Sequence, residues 1–188
     1  MSSPLKQNTE VLFLIDGSKD VSKRLFERQK TFVKKLLIHF NISLNGPYGS
    51  ILLYDTNTSK VSIFSPHNFT QRIDDTTQYG RPRRMDRALE QAYLQLSRSD
   101  IKGRKIAVLL TAGRDDPRSG SRSVGEAAKQ LKQLGVQTFV VAIGSDHSIS
   151  ELQKATDKKE DVFQVLKQSK LSLQSQLVAK HIKDKPCK

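Results

Sequence analysis

Short, continuous apolar runs alternate along this chain with segments whose apolar residues fall at helical spacing, and that order constrains the fold more than any single motif. Val11 to Ile15 reads VLFLI, and the segment after it places Leu25, Phe26, Phe32, Val33, Leu36, Leu37 and Phe40 on one helical face. A buried strand followed by an amphipathic helix is the expectation. Ser50 to Tyr54 and Lys60 to Phe64 come next, separated by Asp55, Thr56, Asn57, Thr58 and Ser59, a turn-rich gap of hairpin length. The second run alternates Val61 and Ile63 around Ser62, as an edge strand does. A loop-rich stretch with one short helix after Pro66 leads to Met85, where Met85, Leu89, Ala92, Tyr93 and Leu96 form a helical stripe. Ile106 to Leu110 is again a continuous apolar strand. Ser123-Val124-Gly125-Glu126 has the Ser-x-x-Glu form of a capping box, opening a helix that closes at Gly135, and Ser148-Ile149-Ser150-Glu151 repeats the signal. Val136 to Ile143 is apolar on both faces, Val162 to Leu166 is a last strand, and a helix from about Lys170 to Ile182 ends the series. The expected architecture is α/β: a doubly wound, mostly parallel, six-stranded sheet with one antiparallel edge strand and helices on both faces.

A chain of 188 residues suits one such domain and buries roughly 70% of its unfolded surface without a disulfide scaffold. Its expected bounds are 10–183, with linker residues 1–9 before it and a basic tail, 184–188, after it. The longest apolar runs fall far short of the roughly 20 residues a bilayer crossing requires, so membrane insertion is not expected. The single Cys187 lies in the tail, flanked by Lys185, Pro186 and Lys188, and reads as a thiol paired outside the domain. Lys and Arg number 32 against 19 Asp and Glu, a formal charge of +13, so some part of the surface should attract polyanions.

In a sheet of this kind ligands meet the loops at the carboxyl ends of the strands. Those loops begin Asp16-Gly17-Ser18-Lys19-Asp20, Gly80-Arg81-Pro82-Arg83-Arg84, Thr111-Ala112-Gly113-Arg114-Asp115-Asp116 and Gly144-Ser145-Asp146. None is a glycine-rich phosphate cradle. His39, His67, His147 and His181 are scattered without zinc spacing. Ser18, His147 and Asp116 make a triad on paper, but no nucleophile elbow supports it, and an enzyme is not expected.

An apolar strand ending in Asp-Gly-Ser carries a resemblance. Val11 to Ser18, then Gly49 to Tyr54, Ala107 to Thr111 and Val140 to Gly144 are similar, in order and spacing over the whole chain, to the signature strands of a von Willebrand factor A domain. Glu151 to Ala155 with Asp161-Val162-Phe163 resembles the ending of matrix-type members, those of collagen VI in particular. The resemblance implies a magnesium site built from an Asp-x-Ser-x-Ser loop, a Thr in the second loop and an Asp in the third, all hard oxygen donors. This chain keeps Asp16 and Ser18 and has Asp20 in place of the second Ser. Arg83 falls near the Thr position, with Met85 there if the register shifts by two, and Ala112 replaces the third-loop Asp. None of Arg83, Met85 and Ala112 ligates magnesium, so the site reads as vestigial: a cofactor is not expected, with magnesium the one candidate. An arginine, Arg83 or Arg114, is expected to fork onto the carboxylate that the metal would have held. Arg81, Arg83, Arg84, Arg114, Arg118 and Arg122 would then form a basic binding face.

Three of five asparagines, Asn41, Asn57 and Asn68, open Asn-x-Ser/Thr sequons in expected loops or turns, which with the resemblance points to a secreted, extracellular-matrix protein. The first functional reading is a non-enzymatic cell-adhesion or matrix-assembly module of a larger protein, with collagens, other matrix proteins or sister domains as the partners the resemblance implies. A second is heparan sulfate or another polyanion bound through the basic face. Nucleic acid is not expected, because only 6% of residues are aromatic and there is no Trp to stack bases. The third is a metal-dependent adhesion domain in which Asp20 and Asp115 or Asp116 replace the lost ligands.

Overall fold

The computed structural model describes residues 4–55, 59–63, 68–78, 80–114 and 122–186. The chain runs β1 (Glu10–Asp16), α1 (Lys23–Phe40), β2 (Tyr48–Tyr54), β3 (Ser59–Ile63), α2 (Phe69–Asp74), α3 (Met85–Ser97), β4 (Lys105–Thr111), α4 (Val124–Gln133), β5 (Gln137–Ile143), α5 (Ile149–Leu152), β6 (Val162–Val165) and α6 (Leu171–Asp184). The strands form one six-stranded sheet in the order β3-β2-β1-β4-β5-β6. Only the β2–β3 pairing is antiparallel, with a register shift between Leu52 and Leu53. The α/β sheet of five parallel strands with one antiparallel edge strand is therefore the architecture the apolar periods imply.

Alternation within β1 sorts the core into two layers. Val11, Phe13 and Ile15 point into the layer formed with Phe32, Val33 and Leu36 of α1 and Val178 and Ile182 of α6. Leu12 and Leu14 point the other way, onto Leu89, Ala92 and Leu96 of α3 and Ala128 and Leu131 of α4. Every residue of β1 and β5 is buried, because both faces are covered by helices. With the chain crossing back between parallel strands, Asp16, Tyr54, Thr111, Ile143 and Val165 all end at one edge, and the loops that follow them form the upper rim.

The helix starts obey their caps unevenly. Ser22 accepts from the Leu25 N–H and opens α1, while Asn41 closes it in the left-handed region at φ 56°. Ser123 and Glu126 complete the capping box of α4, and Gly135 past its end sits at φ 79°. The second Ser-x-x-Glu signal differs: Ser148 caps no N–H with its side chain, its hydroxyl meets that of Ser150 at 3.1 Å, and α5 lasts a single turn.

The segments expected to lie outside the domain are partly built into it. Leu5 is buried in the α1 layer, and the Thr9 carbonyl accepts from the Tyr48 N–H at 2.8 Å. At the other end the Lys185 ammonium pairs with Asp161, which is fully buried and also 2.9 Å from His181 Nε2. Gln137 donates to the Pro186 carbonyl. Residues 5–9 and 184–186 thus pack on the sheet's lower edge rather than extending as a free linker and tail. Cys187 lies outside the described residues.

Candidate functional site

At the upper rim, β1 delivers Asp16 as its last residue, and the whole first loop is organised around it. Asp16 is fully buried. Its main chain is latched to α1 by Gln29, whose carbonyl accepts from the Asp16 N–H at 2.9 Å and whose amide donates to the Asp16 carbonyl at 3.0 Å. Nothing in the sequence marks Gln29 except its position on the buried face of α1, and it was not anticipated. The loop is held to its neighbours by the Gly17 N–H on the Tyr54 carbonyl, the Lys19 N–H on the Arg81 carbonyl, and the Gln78 amide on the carbonyls of Ser18 and Val21.

Both oxygens of the Asp16 carboxylate accept hydrogen bonds from the protein. Oδ1 accepts from the Ser18 N–H at 3.1 Å. Oδ2 accepts from Arg83 Nε at 2.5 Å and from the Ala112 N–H at 3.2 Å, with the Thr111 hydroxyl at 3.5 Å. Of the two arginines expected there, Arg83 is the one that reaches Asp16, but through Nε alone and not as the expected fork, because its Nη1 is turned to the Arg114 carbonyl. It is 4% exposed, and its Nη1 donates to the Arg114 carbonyl at 2.5 Å. Gly113 is the wall that makes room: a Cβ added there would lie 2.6 Å from Arg83 Nη1. Burial alone would push the Arg83 guanidinium down, but the charge and hydrogen bond of Asp16, with smaller help from Tyr54 and Asp20, hold its pKa above the ordinary arginine value. The cation is permanent.

Met85, the other reading of the second-loop position, is the first residue of α3 and is fully buried in the core. Ala112 contributes only its backbone N–H. Ser18 is buried and its hydroxyl has no hydrogen-bond partner among the described residues. Asp20 is exposed and stands off the carboxylate cluster, acting on Arg83 only through its field. Among the described residues no three His, Cys, Asp or Glu side chains gather as a metal-binding group.

Of the six arginines expected on one basic face, the five described ones divide in two, which corrects that expectation. Arg83 and Arg84 are buried and spent internally. Arg84 forks onto Asp86, with Nε on Oδ1 and Nη2 on Oδ2, both at 2.7 Å. Burial would raise the Asp86 pKa, but the bonds and charge of Arg84, with the N–H groups of Arg87 and Arg122, hold it below the ordinary carboxylate value. Acidic Asp86 in the first turn of α3 also suits the helix dipole. Arg81, Arg114 and Arg122 are exposed on the rim. Arg114 reaches Asp146 at 3.7 Å with both side chains largely in solvent, a contact that contributes about 0–1 kcal/mol. Arg118, Asp115 and Asp116 lie outside the described residues, as does Asn57. The other two sequon asparagines, Asn41 and Asn68, are exposed.

His147, in the loop after β5, is half-buried with Nδ1 lacking a partner among the described residues, and burial lowers its pKa against the raising effect of Asp146. It has no described contact with Ser18, and Asp116, the third member of the triad on paper, lies outside the described residues.

Comparison with known proteins agrees with this frame. The chain is 24% identical over 145 residues to the collagen alpha-1(VI) chain of Gallus gallus, covering 72% of this chain and 14% of that protein. Against von Willebrand factor A domain-containing protein 1 of Rattus norvegicus it is 26% identical over 155 residues, covering 78% of this chain and 36% of the relative. The chain thus spans well under half the length of either. Among solved structures, proximal thread matrix protein 1 from the mussel byssus, with a zinc occupied MIDAS motif, superposes with a TM-score of 0.79 at 21% identity over 93% of this chain and 45% of that one. The von Willebrand factor type A domain profile matches residues 10–178, and the chain belongs to that family.

Proposed function

We propose that this chain is a non-enzymatic adhesion or matrix-assembly module of a larger, secreted extracellular-matrix protein, and that it docks through its surface shape and charge without a metal. The matrix proteins among its relatives, collagen VI chains and a byssal thread protein, support the setting. Collagens, other matrix proteins and sister domains are the partners this reading favours, and the exposed Asn41 and Asn68 are its glycan acceptors.

One observation carries the metal-free part: Arg83 Nε on Asp16 Oδ2 at 2.5 Å. A guanidinium and a divalent cation cannot share that oxygen. The donor set around it does not fit magnesium, which demands an octahedral shell of hard oxygens. Two family positions that supply oxygen carry Arg83 and Ala112 here, and what is left among the described residues is the engaged Asp16 carboxylate, the Ser18 hydroxyl and the exposed Asp20, which stands where the second Ser belongs. The test is a thermal melt with magnesium or manganese. Unchanged midpoints at millimolar metal are expected, and a rising midpoint would refute the reading, because an ion bound to the native state must stabilise it by mass action.

A second reading, heparan sulfate binding at the rim, is favoured by the three arginines that remain exposed there, Arg81, Arg114 and Arg122, in a chain of charge +13. Retention on a heparin column should then fall steeply with salt and weaken when all three are changed to alanine. Retention indifferent to salt removes it.

A further inference from the structure

At the end of the sheet opposite Asp16, the carboxyl-terminal half of α3 lies over the amino ends of β1 and β2, and a cavity of about 540 Å³ opens between them. That volume lies within the usual range for ligand pockets, roughly 300–1,000 Å³. Its walls are largely apolar, from Tyr48, Leu94 and Ile101, but two of its lining residues, Glu10 and Gln95, carry acceptors with no partner among the described residues. Glu10, the first residue of β1, is 9% exposed, and its Oε2 is buried with no hydrogen-bond partner among the described residues. No described residue forms an ion pair with it. The Gln95 side chain from α3 donates its amide to Ser50 Oγ at 2.9 Å, and its own carbonyl oxygen is likewise buried with no partner among the described residues.

The described cations that border the site form no ion pair with Glu10. Lys105 stands directly across from Glu10 in the β1–β4 register, yet its ammonium donates to the Leu96 carbonyl. Arg98 and Asp100 also line the cavity and are exposed. With Glu10 they leave the lining one negative charge in excess, in a chain that carries +13 overall. A buried carboxylate without a counter-charge destabilises the fold, and a buried carbonyl without a donor adds to that cost. Both costs vanish together when one group brings a positive charge and several forked N–H donors.

We propose that this cavity receives the guanidinium of an arginine presented by a basic segment of a partner protein, with Glu10 and Gln95 as its acceptors. Arginine fits better than lysine. Its planar fork presents five donors and can reach acceptors on two residues at once, whereas an ammonium is a compact, strongly hydrated point charge. Its alkyl stem would lie along Leu94 and Ile101, and the half-exposed Tyr48 ring offers a face on which a guanidinium stacks. The site is independent of the upper rim, so it stands or falls apart from the metal-free reading of Asp16.

The test uses three blocked tripeptides, acetyl-Gly-X-Gly-amide with X arginine, lysine or norleucine, titrated into the isotope-labelled protein while its amide resonances are followed by NMR. The arginine peptide should shift the Gln95 side-chain amide and the backbone of Glu10, Ser50 and Ile101, and bind at least tenfold tighter than either of the others. Glu10→Gln should weaken it at least tenfold while raising the melting temperature, which shows that the variant is folded and that the native carboxylate was unpaired. Equal binding of arginine and norleucine, equal binding to the Glu10→Gln protein, or no shifts at these residues at millimolar peptide would each overturn the proposal.

Discussion

Removing the Arg83 side chain is the sharpest test of how the upper rim is held. In Arg83→Met the Asp16 carboxylate, fully buried, keeps the N–H donors of Ser18 and Ala112 but loses its only charged partner among the described residues. At the 2.5 Å contact the gross attraction is about 6–7 kcal/mol at an effective dielectric near 20, and desolvation of both ions offsets much of it. What the variant reveals is therefore the cost of an uncompensated buried charge, about 3–5 kcal/mol. For a domain of this size that lowers the melting temperature by about 6–20 °C. Urea denaturation with calorimetry measures it. The double variant Asp16→Asn/Arg83→Met removes the orphaned charge too, and it should be more stable than the sum of the single losses by about 2–3 kcal/mol. If Arg83→Met costs less than about 1 kcal/mol, or the double variant is additive, the two side chains do not form the coupled buried pair described above.

Restoring oxygen donors with Arg83→Thr/Ala112→Asp should create a magnesium response that, on the metal-free reading, the parent lacks. A site of 0.1 mM affinity would contribute about 2.7 kcal/mol at one hundred times that concentration, and an unresponsive double variant would show that more than these two ligands has been lost. Ser123→Ala should cost about 1 kcal/mol in denaturant titration, since it breaks the side-chain half of the α4 capping box. Acidification should lower the melting temperature in two stages. His39 and His147 have folded pKa values below the ordinary 6.5, chiefly through burial, so the unfolded chain binds protons first and stability falls as the pH drops below about 6.5. Asp86, held by Arg84 below the ordinary 3.8, adds a second loss as the pH falls through that value. Melting curves from pH 8 to pH 3 test this, and His39→Gln/His147→Gln should flatten only the first stage.

The fold was legible because the burial of this sheet is written in period and sequence order. VLFLI and the run Val136 to Ile143 are apolar on both faces only because helices cover both, and the hairpin's alternating second strand marks the edge. The site was legible in part. Asp16 and Ser18 follow from a strand ending in Asp-Gly-Ser, and a guanidinium on Asp16 follows from the loss of the other oxygens. Which arginine supplies it does not, since the choice between Arg83 and Arg114 rests on loop geometry that puts Gly113 where a side chain would collide with Arg83. The single basic face misjudged Arg84 for a physical reason: a loop arginine two residues before an aspartate at a helix start can fold back onto it, and sequence gives no measure of the burial that makes this favourable. Gln29 and the cavity at Glu10 were illegible because both are contacts between elements distant in sequence, and neither residue type announces them.

Substituting a guanidinium for an ion changes what the rim can do as well as what holds it together. A divalent ion in such a loop keeps an open coordination position, so it recruits a carboxylate from outside and its occupancy varies with the metal supply. Arg83 offers neither property. Its Nε and Nη1 are committed to Asp16 and the Arg114 carbonyl, it is buried, and its charge does not titrate in any physiological range. On the metal-free reading the rim is therefore fixed in one state, and a partner is selected by what surrounds the pair: exposed Arg81, Arg114 and Arg122, and the relief of the loops themselves. Adhesion through such a surface should survive chelators and weaken with salt, the reverse of the response expected where a bound metal does the bridging.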